Sequence, residues 1–356
     1  KGINKLPTEQ ELAVRYRVSR QTVRAALAVL EDEREIRRIK GSGAYITGLS
    51  SLEDRNIVGI LIPDEQQYEY PALINDIRVA LAAEGFSCKV YPTHNHVDQE
   101  RQILQFLLKS PLRALIVEPV KSALPSPNTE LYQRLIQRGT SILFLGCAYP
   151  QLSQIPVIYE DNLYGAGLLV QSLVEKGHSS IAGIFQMDDQ RGLERYQGFL
   201  DAMQNQGLTV PDRNTQELDD FRQSQDISFL KKFLERITPD CTAFICEDDF
   251  IAWLLWEELS LEQEKRIATH APLSSSLQNT GFTAASADHS FETTIALAAF
   301  NTSYLTTSGL LRATTLTHQT HQPGTLAAQM SINKLKGLPV SSQEVPWQLS
   351  LPKSHN

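Results

Sequence analysis

Arg20, Gln21 and Arg24 lie within five residues of one another, and their side chains are the planar, forked donors that pair with phosphate oxygens and with base edges in a nucleic-acid groove. A second set is scattered along the rest of the chain beside apolar runs: Tyr68, Glu118 with Lys121, Tyr149, Asp161, and Asp248 with Asp249. Carboxylates accept from adjacent hydroxyl groups and a phenol ring covers an apolar face, so this set suits a small polyhydroxylated molecule. Each has a plainer reading beside the chemical one. Glu118 with Lys121 could be a solvated loop pair, Tyr68 and Tyr149 the rim of a core, and Asp249 a helix cap.

The run Glu247-Asp248-Asp249 is the one acidic group that tempts a catalytic reading. Three adjacent acids at a strand-to-helix turn more often cap the helix or bind a polar ligand than catalyse. No G-x-S-x-G, P-loop or HExxH motif occurs, and Gly165-Ala-Gly167 lacks the third glycine of a dinucleotide fingerprint, so it is expected to serve close helix packing. His94 with His96 and His318 with His321 have ligand-like spacing but no third donor in view. No metal, no cofactor and no enzymatic activity are therefore expected. Cys88, Cys147, Cys241 and Cys246 sit in apolar runs and read as buried free thiols.

At 356 residues the chain suits two or three domains, each long enough to bury a core. Its formal net charge is −8, but residues 1–50 hold ten Lys/Arg against six Asp/Glu, a net +4, which leaves −12 for the remainder. A basic head on an acidic body implies that the head alone meets a polyanion. With no apolar run of bilayer-spanning length and no signal-like apolar segment at the start, a cytoplasmic protein with no membrane partner is expected.

The elements that position the first donor set are legible. Thr8 with Glu11 has the form of a capping box and starts a helix at about Glu9 that should run to Tyr16. Ser19 offers a second cap, and Val23, Ala26, Leu27 and Leu30 then recur at helical spacing to bury one face. The turn between the helices is as short as in a helix-turn-helix, which would lay the second helix in the major groove. Two β-prone runs in residues 36–47 flank Lys40-Gly41-Ser42-Gly43, a basic, glycine-rich hairpin tip.

Together these motifs resemble the GntR-family winged helix. Leu6-Pro7, Glu9, Leu12-Ala13, Val18-Ser19-Arg20, Thr22-Val23-Arg24, Ala26-Leu27, Gly41 and Gly43 match its pattern over roughly residues 5–47. The resemblance implies DNA contacts from Glu11, Arg20, Thr22 and Arg24, with the glycine turn beside the minor groove. Ser19, Gln21, Lys40, Gly41 and Gly43 complete the candidate surface. Arg34-Glu35 depart from the family, which has a glycine there, and the family's first helix would lie mostly upstream of Lys1, so the chain reads as starting inside the head.

Residues 48–56 are polar and aperiodic and read as a linker between a head of residues 1–47 and a body of residues 57–356. In the body, strands are predicted at 57–62, 88–91, 114–117, 141–146, 181–185 and 242–246. Helices are predicted near 72–84, 98–109, 128–138, 164–176, 192–206, 227–236 and 249–258. Such alternation makes an α/β fold of two parallel-sheet lobes, with a ligand cleft at the carboxyl ends of the strands.

The body resembles the LacI/GalR effector domain, which has the fold of the periplasmic sugar-binding proteins. Asp161-Asn-Leu-Tyr-Gly165, Glu175-Lys-Gly-His178, Gly192-Leu-Glu-Arg195-Tyr-Gln-Gly198-Phe199 and Asp249-Phe-Ile-Ala252 carry the likeness over residues 57–256. It implies that Arg195 forks across two oxygens of a sugar. It also implies that residues 316–323 cross between lobes, with Gln319 or His321 near the cleft. A GntR-type head on a LacI-type body is similar to the bacterial family of arabinose-responsive repressors, through residues 115–128 and 185–199 especially. L-arabinose or another monosaccharide is then the expected effector, and a homodimer on a pseudo-palindromic operator is the expected assembly. Where the family has a Gly-Phe-Asp-Asp run, this chain has Gly281-Phe282-Thr283-Ala284, which removes a ligand-binding aspartate. A solute receptor that does not bind DNA is the rival reading, and the winged head disfavours it.

Overall fold

The computed structural model describes residues 5–32, 36–39, 41–46, 56–65, 69–218, 227–270, 295–318 and 323–352, of which 262–270 are described by their backbone alone. Tyr68, Lys40, Thr283, Gln319 and His321 lie outside the described residues, as does most of the segment read as a linker.

The head starts with helix α1 (Glu9–Tyr16), closed at its N-terminus by the reciprocal Thr8–Glu11 box. Arg17 ends the helix in the left-handed region at φ 53°, which turns the chain into α2 (Arg20–Asp32). Val23 and Leu27 on α2 bury against Ala13 of α1 and Ile36, the first residue of β1 (Ile36–Ile39). β1 pairs antiparallel with β2 (Gly43–Ile46) to form the wing, and the Leu6 N–H adds to it by donating to the Ala44 carbonyl at 2.8 Å.

The first lobe of the body is a six-stranded sheet in the order β13-β7-β6-β5-β3-β4. Its strands are β3 (Ile57–Ile62), β4 (Ser87–Pro92), β5 (Ala114–Val117), β6 (Ser141–Leu145), β7 (Val157–Tyr159) and β13 (Gln343–Glu344), and all their pairings are parallel. Helices α3 (Tyr70–Ala83), α4 (Val97–Lys109) and α5 (Thr129–Gln137) cover it. The second lobe has the order β14-β12-β11-β10-β8-β9. It uses β8 (Ile181–Gln186), β9 (Thr215–Leu218), β10 (Ala243–Cys246), β11 (Ala296–Ala299), β12 (Thr314–Thr317) and an antiparallel edge, β14 (Gln348–Ser350). Its helices are α6 (Asn162–Glu175), α7 (Gln190–Asn205), α8 (Ser228–Arg236), α9 (Asp249–His270) and the single turn α10 (Tyr304–Thr307). Central strands such as Ala114–Val117 and Ala243–Cys246 are buried at every position, as expected of a sheet covered on both faces.

Helix α11 (Pro323–Leu335) belongs to the first lobe, where Ala327, Ala328, Met330 and Ile332 pack among Val58, Ile60 and Ile74. The chain therefore passes between lobes three times: after β7, after β12 and between β13 and β14. Gly165 at the first passage has no room for a Cβ, which would come within 2.8 Å of Trp347, so this glycine does serve close packing. The four cysteines are free thiols; Cys147 and Cys246 are buried, and Cys88 and Cys241 are half-buried.

Candidate functional site

On the head, Ser19 accepts from the Thr22 N–H at 3.0 Å, and the two hydroxyls are 2.8 Å apart, so both residues are engaged in capping α2. Arg20, Gln21 and Arg24 are exposed along the same helix. Arg24 already has a partner, since its Nη2 and Nε donate to the Glu9 carboxylate at 2.9 and 3.2 Å. That contact raises the Arg24 guanidinium and lowers the Glu9 carboxyl from their ordinary values. Glu11 takes its place in the expected capping box: its carboxylate turns back to accept from the Thr8 N–H at 2.7 Å and the Thr8 hydroxyl at 2.9 Å, which fixes the helix start. Gly41 and Gly43 hold φ of 80° and 120° at the wing tip, a backbone shape that side chains resist. Lys5, which the sequence reading passed over, stands beside Gly43 and over the Tyr45 ring.

Between the lobes lies a cavity of about 550 Å³. Glu118, Gly146 and Glu160 reach it from the carboxyl ends of β5, β6 and β7, and Asn301 and His318 from those of β11 and β12. This is the crevice where open parallel sheets hold their ligands. Four carboxylates line it (Glu69, Asp76, Glu118 and Glu160) against two guanidinium groups, Arg191 and Arg195.

Arg195 is 4% exposed. Its Nε donates to Asn162 Oδ1 at 3.1 Å, and its Nη1 donates to the Glu247 carbonyl at 2.9 Å and to the Glu247 carboxylate. The guanidinium also rests over the Phe300 ring, 4.5 Å from its centroid. Burial pushes the Glu247 carboxyl up in spite of this partner. Arg191, one turn earlier, donates from Nη2 to Glu118 Oε1 at 2.5 Å and from Nε to Asp189 at 3.2 Å. Asp189 caps α7. Burial works against its charge, but Arg191 outweighs burial and holds the carboxyl below the usual range.

Glu118 also accepts from the Tyr70 hydroxyl at 2.8 Å. At the far end of the cavity Trp347 stacks on His318, with ring centroids 4.4 Å apart, and has its N–H unpaired among the described residues. His318 Nε2 lies 3.7 Å from Glu160.

Of the sequence-predicted ligand residues, the structure brings Glu118 and Arg195 together at the cavity. It turns the other described ones elsewhere, Tyr68 and His321 lying outside the described residues. Tyr149 is fully buried behind β5 and β6, with its hydroxyl on Glu100 and Val120. Asp248 accepts from the Ile251 N–H at 2.8 Å as a helix cap. Asp249 accepts from the Ser303 N–H and hydroxyl, each at 2.7 Å. Asp161 caps α6 through the Tyr164 N–H at 2.9 Å. Lys121 lies outside the cavity lining and pairs with Asp188 at 3.4 Å. In each case a nearby backbone donor or buried partner claims the polar atom before a ligand could. Glu69, Tyr70, Asn301, His318 and Trp347 were missed. All but Tyr70 sit just beyond an element's end, and that position is the one signal that could have drawn attention to them.

Two lobes with parallel sheets, three passages between them, a cleft at the strand ends and a winged basic head define a DNA-binding transcription regulator with a ligand-receiving body. Residues 4–46 match bacterial regulatory proteins of the gntR family, and residues 55–308 match the periplasmic binding proteins and sugar binding domain of the LacI family. The chain belongs to the LacI-type sugar-binding-domain family and carries a GntR-type head. It is similar to the arabinose metabolism transcriptional repressor of Geobacillus stearothermophilus, with 31% identity over 261 residues, 71% of this chain and 70% of that one. The repressor of the same description from Halalkalibacterium halodurans is 28% identical over 258 residues, 70% of this chain and 68% of that one. Among solved structures, a periplasmic binding protein/LacI transcriptional regulator from Alkaliphilus metalliredigens complexed with D-xylulofuranose shares the fold. Its TM-score is 0.60 at 16% identity, covering 83% of this chain and 97% of that one. No helix among the described residues is long and apolar enough to cross a membrane.

Proposed function

We propose that this protein represses carbohydrate-use genes as a cytoplasmic homodimer bound to a pseudo-palindromic operator, and that a monosaccharide, L-arabinose first among them, controls it from the cleft. The observation that carries the reading is the cavity itself, where an excess of carboxylates faces two guanidinium groups already tied to acids. Such a lining accepts from the hydroxyls of an uncharged sugar and repels a phosphorylated one. The likeness to two arabinose repressors points to the same ligand class.

The sugar's contribution is differential. It stabilises the arrangement in which both lobes grip it, and that arrangement spaces the two heads differently from the operator-bound one. No catalytic group takes part. The test is operator affinity at one fixed salt concentration, with and without L-arabinose and then with other sugars. Tight binding released by L-arabinose supports the reading. Binding indifferent to every sugar removes the effector, and absence of sequence-specific binding removes the operator.

A further inference from the structure

The segment from Glu118 to Asn128, between β5 and α5, reaches from the first lobe to the second at several points. Beyond the Glu118–Arg191 pair, Lys121 meets Asp188, the Ala123 N–H donates to the Asp188 carbonyl at 3.2 Å, and the Gln190 N–H donates to the Ser122 hydroxyl at 2.9 Å. Lys121 holds φ at 44°, an unfavourable shape for a side-chain-bearing residue, while its N–H donates to Asn95 Oδ1 at 3.1 Å. A loop of this shape keeps its form only if its ends are fixed.

Both ends converge on one carboxylate. Glu100 on α4 is fully buried, behind the sheet and outside the cavity lining. It accepts from the Tyr132 hydroxyl at 2.6 Å, the Tyr149 hydroxyl at 2.9 Å and Asn128 Nδ2 at 2.7 Å. Asn128 is the loop's last residue. The Tyr149 hydroxyl also accepts from the Val120 N–H at 2.8 Å and lies 3.0 Å from the Val120 carbonyl, so it clasps the loop's start. Three aromatic rings, Tyr132, Phe144 and Tyr149, pack about the site with centroids 5.9 to 6.0 Å apart and keep water away. Of the side-chain polar atoms of Glu100, Tyr132, Tyr149 and Asn128, all but Asn128 Oδ1 have a partner among the described residues, and buried bonds so shared favour one geometry.

We propose that Glu100, with Tyr132, Tyr149 and Asn128, is a positioning cluster that holds the 118–128 loop in the shape needed to bridge the lobes and so tunes effector affinity without touching the effector. The effector arm of this proposal rests on the sugar reading of the cleft; the loop arm does not.

The experiment compares the full-length protein with Tyr149→Phe, which keeps the ring and deletes the clasp. Amide hydrogen exchange in the free protein reads the loop directly. The Val120, Lys121 and Ala123 amides should exchange about tenfold faster or more while those of β5 and β6 stay as they were. L-arabinose affinity, measured by calorimetry, should fall by about tenfold with sugar-free operator affinity within about twofold of the parent. Combining Tyr149→Phe with Lys121→Ala should then cost less than the two single losses added, because both act through one loop. Unchanged loop exchange, or uniformly faster exchange with affinity intact, overturns the proposal. If the parent protein binds neither L-arabinose nor any other monosaccharide tried, the sugar reading fails, and the exchange result alone decides whether the cluster positions the loop.

Discussion

Arg191 of the second lobe reaches across the cleft to Glu118 of the first, with 2.5 Å between Nη2 and Oε1 and with Tyr70 on the same oxygen. Both residues line the cavity, so this ion pair is at once a wall of the ligand site and a bond between lobes. Replacing Glu118 by Gln keeps the shape and removes the charge. The bridge should weaken by about 1–3 kcal/mol. Small-angle scattering of the sugar-free protein should show a larger radius of gyration, and an unchanged radius would assign the lobe arrangement to other contacts.

Gly146 governs the same bridge from beneath. Its φ is 74°, and a Cβ there would come within 2.8 Å of Arg191 Cδ. Gly146→Ala should therefore cost roughly 1–3 kcal/mol in backbone strain and displace the guanidinium from Glu118. Denaturant unfolding measures the first effect, and L-arabinose titration, with weaker affinity expected, measures the second.

On the head, Arg24 is held by Glu9 in the absence of DNA. Arg24→Ala should weaken operator binding roughly 5- to 150-fold and relax specificity at one base position if the contact is bidentate. Glu9→Gln frees the arginine and should tighten operator binding, most clearly at low salt. A titration series over several salt concentrations separates the two. Weaker binding by the Glu9 variant would show that the pair orients Arg24 for its target.

The Asp249 carboxyl is raised to about 6 from an ordinary 3.8 by burial, in spite of its hydrogen bonds from Ser303. The folded chain thus binds more protons than the unfolded chain between those values, and this group's contribution to stability falls as pH rises through that window. The full effect is on the order of 3 kcal/mol. Asp249→Asn keeps an acceptor and should flatten that part of the stability profile between about pH 4 and 6. Identical profiles in urea unfolding would place the titration elsewhere.

Arg195 and Glu247 form a buried pair, 4% and 6% exposed at their side chains. Removing one partner strands the other, so Arg195→Met should destabilise by about 3–5 kcal/mol, and the further change Glu247→Gln should recover part of it. Thermal unfolding of the single and double variants checks this. No recovery would mean that Asn162 and Phe300 hold the arginine's value instead.

What could be read from the sequence follows the range of the interactions concerned. The Thr8–Glu11 box and the short turn at Arg17 depend on neighbours in sequence, and both are present. Strands such as Ile57–Ile62 announce themselves as continuous apolar runs because both faces are covered. Thr314–Thr317 and Ala296–Ala299 went unread, since their composition gives no such contrast, yet both are buried where the sheets demand it. Helix α9 was expected to stop near residue 258 and continues to His270. The site divides the same way. Arg195 and Glu118 were legible from motif and strand end. Tyr149 and Asp249 share those signals, but the direction of a side chain past a strand end is set by partners, Glu100 and Ser303, that lie 49 and 54 residues away.

The three passages between lobes also bear on how the chain is made. Helix α11 and strand β13 complete the first sheet and its cover, and β14 closes the edge of the second, all from residues 323–350. Neither lobe is a continuous stretch of sequence, so on the ribosome both must wait, apolar faces partly uncovered, until the last thirty or so described residues emerge. Synthesis therefore commits the two halves to mature together, and a truncation before Pro323 would leave two unfinished lobes with no intact one to salvage.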